Sequence, residues 1–153
     1  MKVMVAEKSM DVRQFLVFKI GSQEYGVDIQ KVVTIIEKDM NIARIPKTPD
    51  FIKGVINLRG EIIPVMDIRK RFKLPEIEDT EETRIIVLKT EEIVIGIIVD
   101  AVAEVIRLTS DSIENIASFS NDVMMDFIYG VGKINDKIVT ILNIEKLIDI
   151  SET

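Results

Sequence analysis

The sequence predicts an all-β protein made of two similar five-stranded barrels that share a hydrophobic core. Two observations lead to this prediction. Ile and Val dominate an apolar content of 47%, with no Trp and two Tyr in 153 residues, and β-branched side chains fit a pleated sheet better than a helix surface. The chain also repeats itself, since its second half follows the apolar pattern of the first.

The repeat consists of two blocks that recur in the same order. Residues 14–36 match residues 84–106 at a constant offset of 70, and residues 51–72 match residues 127–148 at an offset of 76. Identical pairs include Val17/Val87, Gly26/Gly96, Val32/Val102, Phe51/Phe127 and Gly54/Gly130. Two ordered blocks indicate an internal duplication, and some five short strands in each half are enough for a small closed barrel.

Turn residues divide the apolar runs into hairpins. Gly21-Ser22-Gln23, Arg59-Gly60 and Asn135-Asp136 each separate two short apolar segments, and such residues suit the positive φ of tight turns. Three short helices are also predicted. They are two turns over Asp28–Ile36, one turn after Thr48-Pro49, and a C-terminal helix over 143–150.

The domain organisation follows from these elements. We expect a flexible N-terminal tail at 1–12 and a single domain at 13–153. Its parts are a first barrel mainly over 14–72, an acidic linker at 73–83, a second barrel mainly over 84–142 and the C-terminal helix. An exchange of strands between the halves is compatible with this division.

Composition argues against several classes of function. With no Cys and no His, the chain lacks thiolate metal ligands and the usual general base, so we predict no enzyme activity, no metal and no cofactor. A carboxylate-based enzyme with its site in a cleft between the barrels stays as an alternative. The net charge of -6 argues against nucleic acid as a partner. No signal peptide or membrane span is evident, so we expect a cytoplasmic protein without direct membrane insertion.

One segment is more apolar than a surface segment needs to be. Gly26–Ile36 reads GVDIQKVVTII. As a helix it would place Ile29, Val33 and Ile36 close to one face, with Val32 and Ile35 beside them. Either the whole stripe is core, or its edge is left for a partner to cover. Arg59 at a hairpin tip is similarly either solvated or a donor for a partner.

Residues 51–69, FIKGVINLRGEIIPVMDIR, resemble the signature block of the CheW-like domain family. QFLVF from Gln14, EYGVDIQKV from Glu24 and GIIVDAV from Gly96 reinforce the resemblance, which covers about 14–150. It implies two SH3-like barrels with a common core. It also implies a non-catalytic adaptor of bacterial chemotaxis that couples the cytoplasmic hairpin tips of chemoreceptors, the methyl-accepting chemotaxis proteins, to the regulatory domain of the histidine kinase CheA.

The same resemblance implies site residues. The receptor groove between the barrels would contain Leu16, Ile29, Val32, Ile35 and Val102, with Arg59 at its rim. Kinase contacts would fall on Ile45 and Phe119. Association with the membrane would occur only through receptor arrays. The length of 153 residues favours a stand-alone adaptor, and a generic β-barrel peptide-binding module is the alternative.

Overall fold

The protein is all-β and has two lobes. The computed structural model describes residues 11–37, 41–115 and 126–149. Within them, the strands are β1 Val12–Ile20, β2 Gln23–Asp28, β3 Val32–Glu37, β4 Ile52–Leu58, β5 Glu61–Asp67, β6 Arg84–Lys89, β7 Val94–Val99, β8 Ala101–Thr109, β9 Ile113–Glu114, β10 Ile128–Ile134 and β11 Lys137–Leu142. Two short helices are α1 Ile68–Arg71 and α2 Ile144–Leu147, and 3₁₀ turns occupy Ile29–Lys31 and Ser110–Ser112. The predicted all-β class is confirmed.

The strands form two sheets that are equivalent under the internal repeat. One has the order β8-β1-β2-β11-β10-β9 and the other β3-β6-β7-β5-β4, with β2–β11 and β5–β7 as parallel pairs. The extra strand β9 pairs Glu114 with Val131, and its counterpart in the smaller sheet is an isolated bridge between Ala43 and Val55. Each sheet therefore contains strands from both halves of the sequence.

The hairpin tips have the predicted backbone. Arg59 and Gly60 have φ of 54° and 87°, and Asn135 and Asp136 have φ of 49° and 64°. Positive φ at both central residues gives the turn a twist that matches the right-handed twist of the flanking strands. These two repeat-related hairpins, β4–β5 and β10–β11, are confirmed.

Each sheet encloses an inner cluster, and a third cluster lies between the sheets. In β1, Phe15 and Val17 point into the inner cluster of the six-stranded sheet, whereas Leu16 and Phe18 enter the shared cluster. The repeat-related strand β6 divides its residues in the same way. Strands buried on both faces read as continuous apolar runs, which is why QFLVF and RIIVL lack polar alternation. The predicted shared core is confirmed.

The predicted helix over Asp28–Ile36 is wrong. The Asp28 carboxylate accepts a hydrogen bond from the Gln30 N–H at 2.9 Å and caps one 3₁₀ turn. The chain then extends into β3, which pairs with β6. The run Val32 to Ile36 is β-branched throughout, and such residues prefer a strand once a partner edge is present.

The other two helix predictions have different outcomes. After Thr48-Pro49 the chain forms a turn closed by the Ile52 N–H on the Pro49 carbonyl at 3.0 Å, not a helix. The C-terminal helix is present but shorter than predicted, and the Asn143 side chain caps it by accepting from the Lys146 N–H. No helix in residues 11–37, 41–115 and 126–149 is long and apolar enough to cross a bilayer.

Candidate protein-docking surface

A β-bulge at Val33 determines which side chains of β3 share a face. Val32 pairs with Leu88, but Thr34 already pairs with Val87 and Ile35 with Ile86. Residues directly opposite each other in an antiparallel pair lie on the same face. Val32 and Ile35 therefore both lie on the face of Leu88 and Ile86, which belong to the shared core. Because the bulge adds one residue to the strand, neighbouring side chains on this face are three residues apart in sequence instead of two.

The same bulge recurs in β8, at the repeat-related residue Ala103. Phe18 pairs with Val102, Val17 with Glu104 and Leu16 with Val105. Val102 and Val105 accordingly share the face of Phe18 and Leu16, which also belong to the shared core. The two halves of the molecule present matching apolar pairs, Val32 with Ile35 and Val102 with Val105.

These residues are left partly in water. Ile35 is 40% exposed and Val105 is 47% exposed. Ile29, Val32 and Val102 are half-buried and pack against the shared core from outside. We call this set the seam surface: Ile29, Val32, Ile35, Val102 and Val105. Removing apolar side chains of this kind from water favours association with another macromolecule.

A hydrogen-bonded cluster of charged residues holds the first of these residues in place. Asp28 accepts from the Arg13 guanidinium at 2.9 Å while it caps the 3₁₀ turn that carries Ile29. The hydrogen bond to Asp28 raises the pKa of Arg13, against the opposing effect of burial. At the end of the same turn Lys31 forms an ion pair with Glu145 of α2 at 3.0 Å, and this hydrogen bond lowers the pKa of Glu145.

Leu16 and Arg59 lie apart from the partly exposed residues of the seam surface. Leu16 is 4% exposed and belongs to the shared core beside Val105, so it supports the surface from below. Arg59 is exposed at the β4–β5 tip. By strand register it lies at the end of the five-stranded sheet where β3 begins.

Of the two predicted kinase contacts, Ile45 lies among the described residues. Ile45 is 42% exposed between β3 and β4, where its carbonyl accepts a hydrogen bond from the Thr48 hydroxyl at 3.1 Å. Phe119 lies outside the described residues.

Sequence reasoning missed Val105. It is the counterpart of Ile35 at the offset of 70, so the repeat itself carried the signal. Among the described residues, no three His, Cys, Asp or Glu side chains are placed to hold a metal ion. The seam surface consists of aliphatic side chains, which supply no acid, base or nucleophile.

Comparison with known proteins agrees with this picture. The family model for the CheW-like domain matches residues 14–152. The chain is 39% identical over 140 residues to the chemotaxis protein CheW of Klebsiella aerogenes, covering 92% of this chain and 84% of the relative. It is 33% identical over 142 residues to the chemotaxis protein CheW of Helicobacter pylori, covering 93% and 85%.

A solved structure shows the same fold. The scaffolding protein TtCheW from Thermoanaerobacter tengcongensis superposes with a TM-score of 0.83 at 37% identity, covering 92% of this chain and 95% of that one. The fold and these relatives define a non-catalytic scaffold protein of chemotaxis. The chain belongs to the CheW-like domain family.

Proposed function

We propose that this protein couples the cytoplasmic tips of chemoreceptors to the histidine kinase CheA. The observation that carries the proposal is the seam surface, where each half of the repeat leaves an apolar pair partly exposed beside the shared core. Single exposed apolar residues are ordinary. Here the same bulge in β3 and in β8 exposes an apolar pair in each half of the molecule. A feature that occurs in both halves favours a binding surface over chance exposure.

The receptor tip would bind by covering this surface. A helical partner presents a continuous apolar stripe along one face, and β3 and β8 each leave an apolar pair beside the shared core for such a stripe to cover. Fully burying an aliphatic side chain contributes about 1.5–3 kcal/mol. Ile35 and Val105 are 40% and 47% exposed, so somewhat less than half of that contribution is still available to a partner. The planar guanidinium of Arg59, at the rim of the receptor groove, would donate hydrogen bonds to the receptor.

The kinase would bind elsewhere, because a coupling protein needs a second surface that stays free when the receptor is bound. Ile45 is exposed on the connection between β3 and β4, and we propose it, together with Phe119, as a contact for the regulatory domain of CheA. In this arrangement the protein resides in the cytoplasm and reaches the membrane only through receptor arrays.

The test measures receptor and kinase binding on the same variants. Val32→Asp, Ile35→Asp and Arg59→Asp should each weaken binding to a receptor cytoplasmic fragment by roughly tenfold, with binding to the CheA regulatory domain unchanged. Ile45→Asp should do the reverse. Ile77→Asp is the matched control, since Ile77 is 51% exposed in the linker and outside both surfaces.

Melting temperatures identify variants that fail to fold. We expect the Ile35→Asp protein to fold, because the Ile35 side chain is already 40% exposed to water. If folded Ile35→Asp and Val32→Asp proteins retained full receptor binding, the seam surface would not be the receptor site.

A further inference from the structure

A cleft of about 490 Å³ lies beside the seam surface, between the β6–β7 turn and the end of α2. Ile93 and Ile148 form its apolar floor, and both pack with the shared core. Lys31, which precedes Val32 of the seam surface in the chain, also lines the cleft. The cleft therefore offers a place for an apolar side chain of a partner.

The rim of this cleft is acidic. Glu91, Glu92, Glu145 and Asp149 line it, and the cation among the lining residues, Lys31, is already paired with Glu145 at 3.0 Å. Neither Glu91 nor Glu92 has an ion-pair partner within residues 11–37, 41–115 and 126–149. The uncompensated charge at the rim is negative.

The turn that carries Glu91 and Glu92 is held by its own hydrogen bonds. The Thr90 N–H donates to the Ile93 carbonyl at 2.9 Å, and the Thr90 hydroxyl oxygen accepts from the Glu92 and Ile93 N–H groups, both at 3.3 Å. Neither carboxylate takes part in these bonds, so both are free to point toward a ligand.

The repeat-related hairpin lacks these two charges. The counterparts of Glu91 and Glu92 at the offset of 70 are Gly21 and Ser22, in the turn between β1 and β2. The β1–β2 hairpin forms without a charge at its tip. The carboxylates are therefore an addition to one half of the molecule, beside an apolar floor.

We propose that this cleft docks a cationic amphipathic helix of a partner protein. An apolar side chain of the helix enters over Ile93 and Ile148, and flanking Lys or Arg residues pair with Glu91 and Glu92. Charge complementarity selects this occupant, since an acidic helix would be repelled by the rim. The inference does not depend on the receptor assignment, because the cleft and the seam surface share no side chain.

The test uses a fluorescently labelled helical peptide with Leu on one face and Lys on the other, titrated with the full chain. The double variant Glu91→Gln/Glu92→Gln should weaken binding roughly fivefold at low salt and much less at high salt. The matched control is Glu81→Gln/Glu82→Gln, which removes the same charge from the exposed linker and should change binding less than twofold. NMR shifts should move at Glu91–Ile93 and Ile148 and stay fixed at Gly21–Gln23.

If the peptide docks in the cleft, its binding depends on apolar contacts with Ile93 and Ile148 as well as on charge. Testing those contacts distinguishes docking from general attraction between opposite charges. Replacing the peptide's Leu residues with Ser should abolish binding, and Ile93→Ser should weaken it at low and high salt alike. Equal loss in both double variants, or unchanged binding of the Ser peptide, would mean that only non-specific charge attraction operates. A dimer in sedimentation that Glu91→Gln/Glu92→Gln dissolves would make a second copy the occupant and overturn the proposal.

Discussion

The two short helices of the repeat attach to the opposite half of the molecule through ion pairs of reversed polarity. In α1, Arg69 binds Asp100 through two hydrogen bonds of 3.1 and 2.5 Å. In α2, the repeat-related residue Glu145 binds Lys31 at 3.0 Å. Asp100 and Lys31 both follow the second strand of a hairpin, β7 and β2 respectively.

The reversal distinguishes two halves that otherwise have nearly the same backbone. If α1 docked where α2 belongs, Arg69 would meet Lys31. If α2 docked where α1 belongs, Glu145 would meet Asp100. Placing like charges together disfavours both misplacements. The pairs also differ in burial, since the side chains of Arg69 and Asp100 are 14% and 21% exposed against 35% and 59% for Lys31 and Glu145. The Arg69–Asp100 pair is the more buried of the two, and the Lys31–Glu145 pair lines the cleft beside the seam surface.

The largest expected effect concerns a feature that both halves share. A Cβ at Gly54 would collide with the Ala43 carbonyl oxygen, and one at Gly130 would come within 2.8 Å of the Glu114 carbonyl oxygen. We expect Gly54→Ala and Gly130→Ala each to lower the free energy of unfolding by about 2–3 kcal/mol, measured by urea denaturation. Gly60→Asn is the control for steric collision. A Cβ at Gly60 meets open space, and Asn tolerates its positive φ of 87° better than most residues. A loss in only one half would show that the halves are not equivalent at this position.

The next effect separates the two ion pairs. Asp100 accepts from Arg69 and also from the Gly21 N–H at 2.7 Å, so Asp100→Asn leaves a half-buried guanidinium without its counter-charge. We expect a loss of about 2 kcal/mol in the free energy of unfolding. The double variant Arg69→Met/Asp100→Leu should recover part of that loss, and a larger loss in the double variant would contradict this account.

Acid should act through the same half-buried pair, Arg69 and Asp100. Burial by itself would raise the pKa of Asp100, but hydrogen bonds from Arg69 and the Gly21 N–H outweigh it and hold the pKa below its ordinary value. A carboxyl group with a lowered folded pKa stabilises the protein above its unfolded pKa of about 3.9 and loses that contribution as pH falls through the folded pKa. Below about pH 4, unfolding free energy should therefore decline less steeply in Asp100→Asn than in the unsubstituted protein. Parallel curves would exclude Asp100 as the titrating group.

The smallest effect belongs to the exposed pair. Glu145→Gln should change the free energy of unfolding by about 0.5 kcal/mol or less, because an ion pair at this exposure is weakened by solvent. The exchange Lys31→Glu/Glu145→Lys should leave thermal stability within the same range. A loss comparable to that of Asp100→Asn would show that the two pairs stabilise the fold alike.

Much of the fold was predictable because local sequence carries it. The repeat, the tips Arg59-Gly60 and Asn135-Asp136, and the doubly buried strands appear as spacing, turn chemistry and unbroken apolar runs. The segment after Asp28 was misread for a physical reason. The apolar residues Ile29, Val33 and Ile36, with Val32 and Ile35 beside them, fit one side of a helix. In the structure the residues from Val32 onward form a strand, whose bulge at Val33 places Val32 and Ile35 on one face.

The sequence alone determined the β-rich composition, the duplication and the family, since each is a property of residue types and their order. Only the tertiary structure decided how strands from both halves combine in each sheet, and where Arg71 lies. Its guanidinium packs 4.3 Å from the Phe51 ring centre and 4.7 Å from that of its counterpart Phe127, and it donates to the Leu147 carbonyl at 3.0 Å. Contacts between distant parts of the chain leave no local pattern, because they depend on which surfaces meet when the two sheets close on one core.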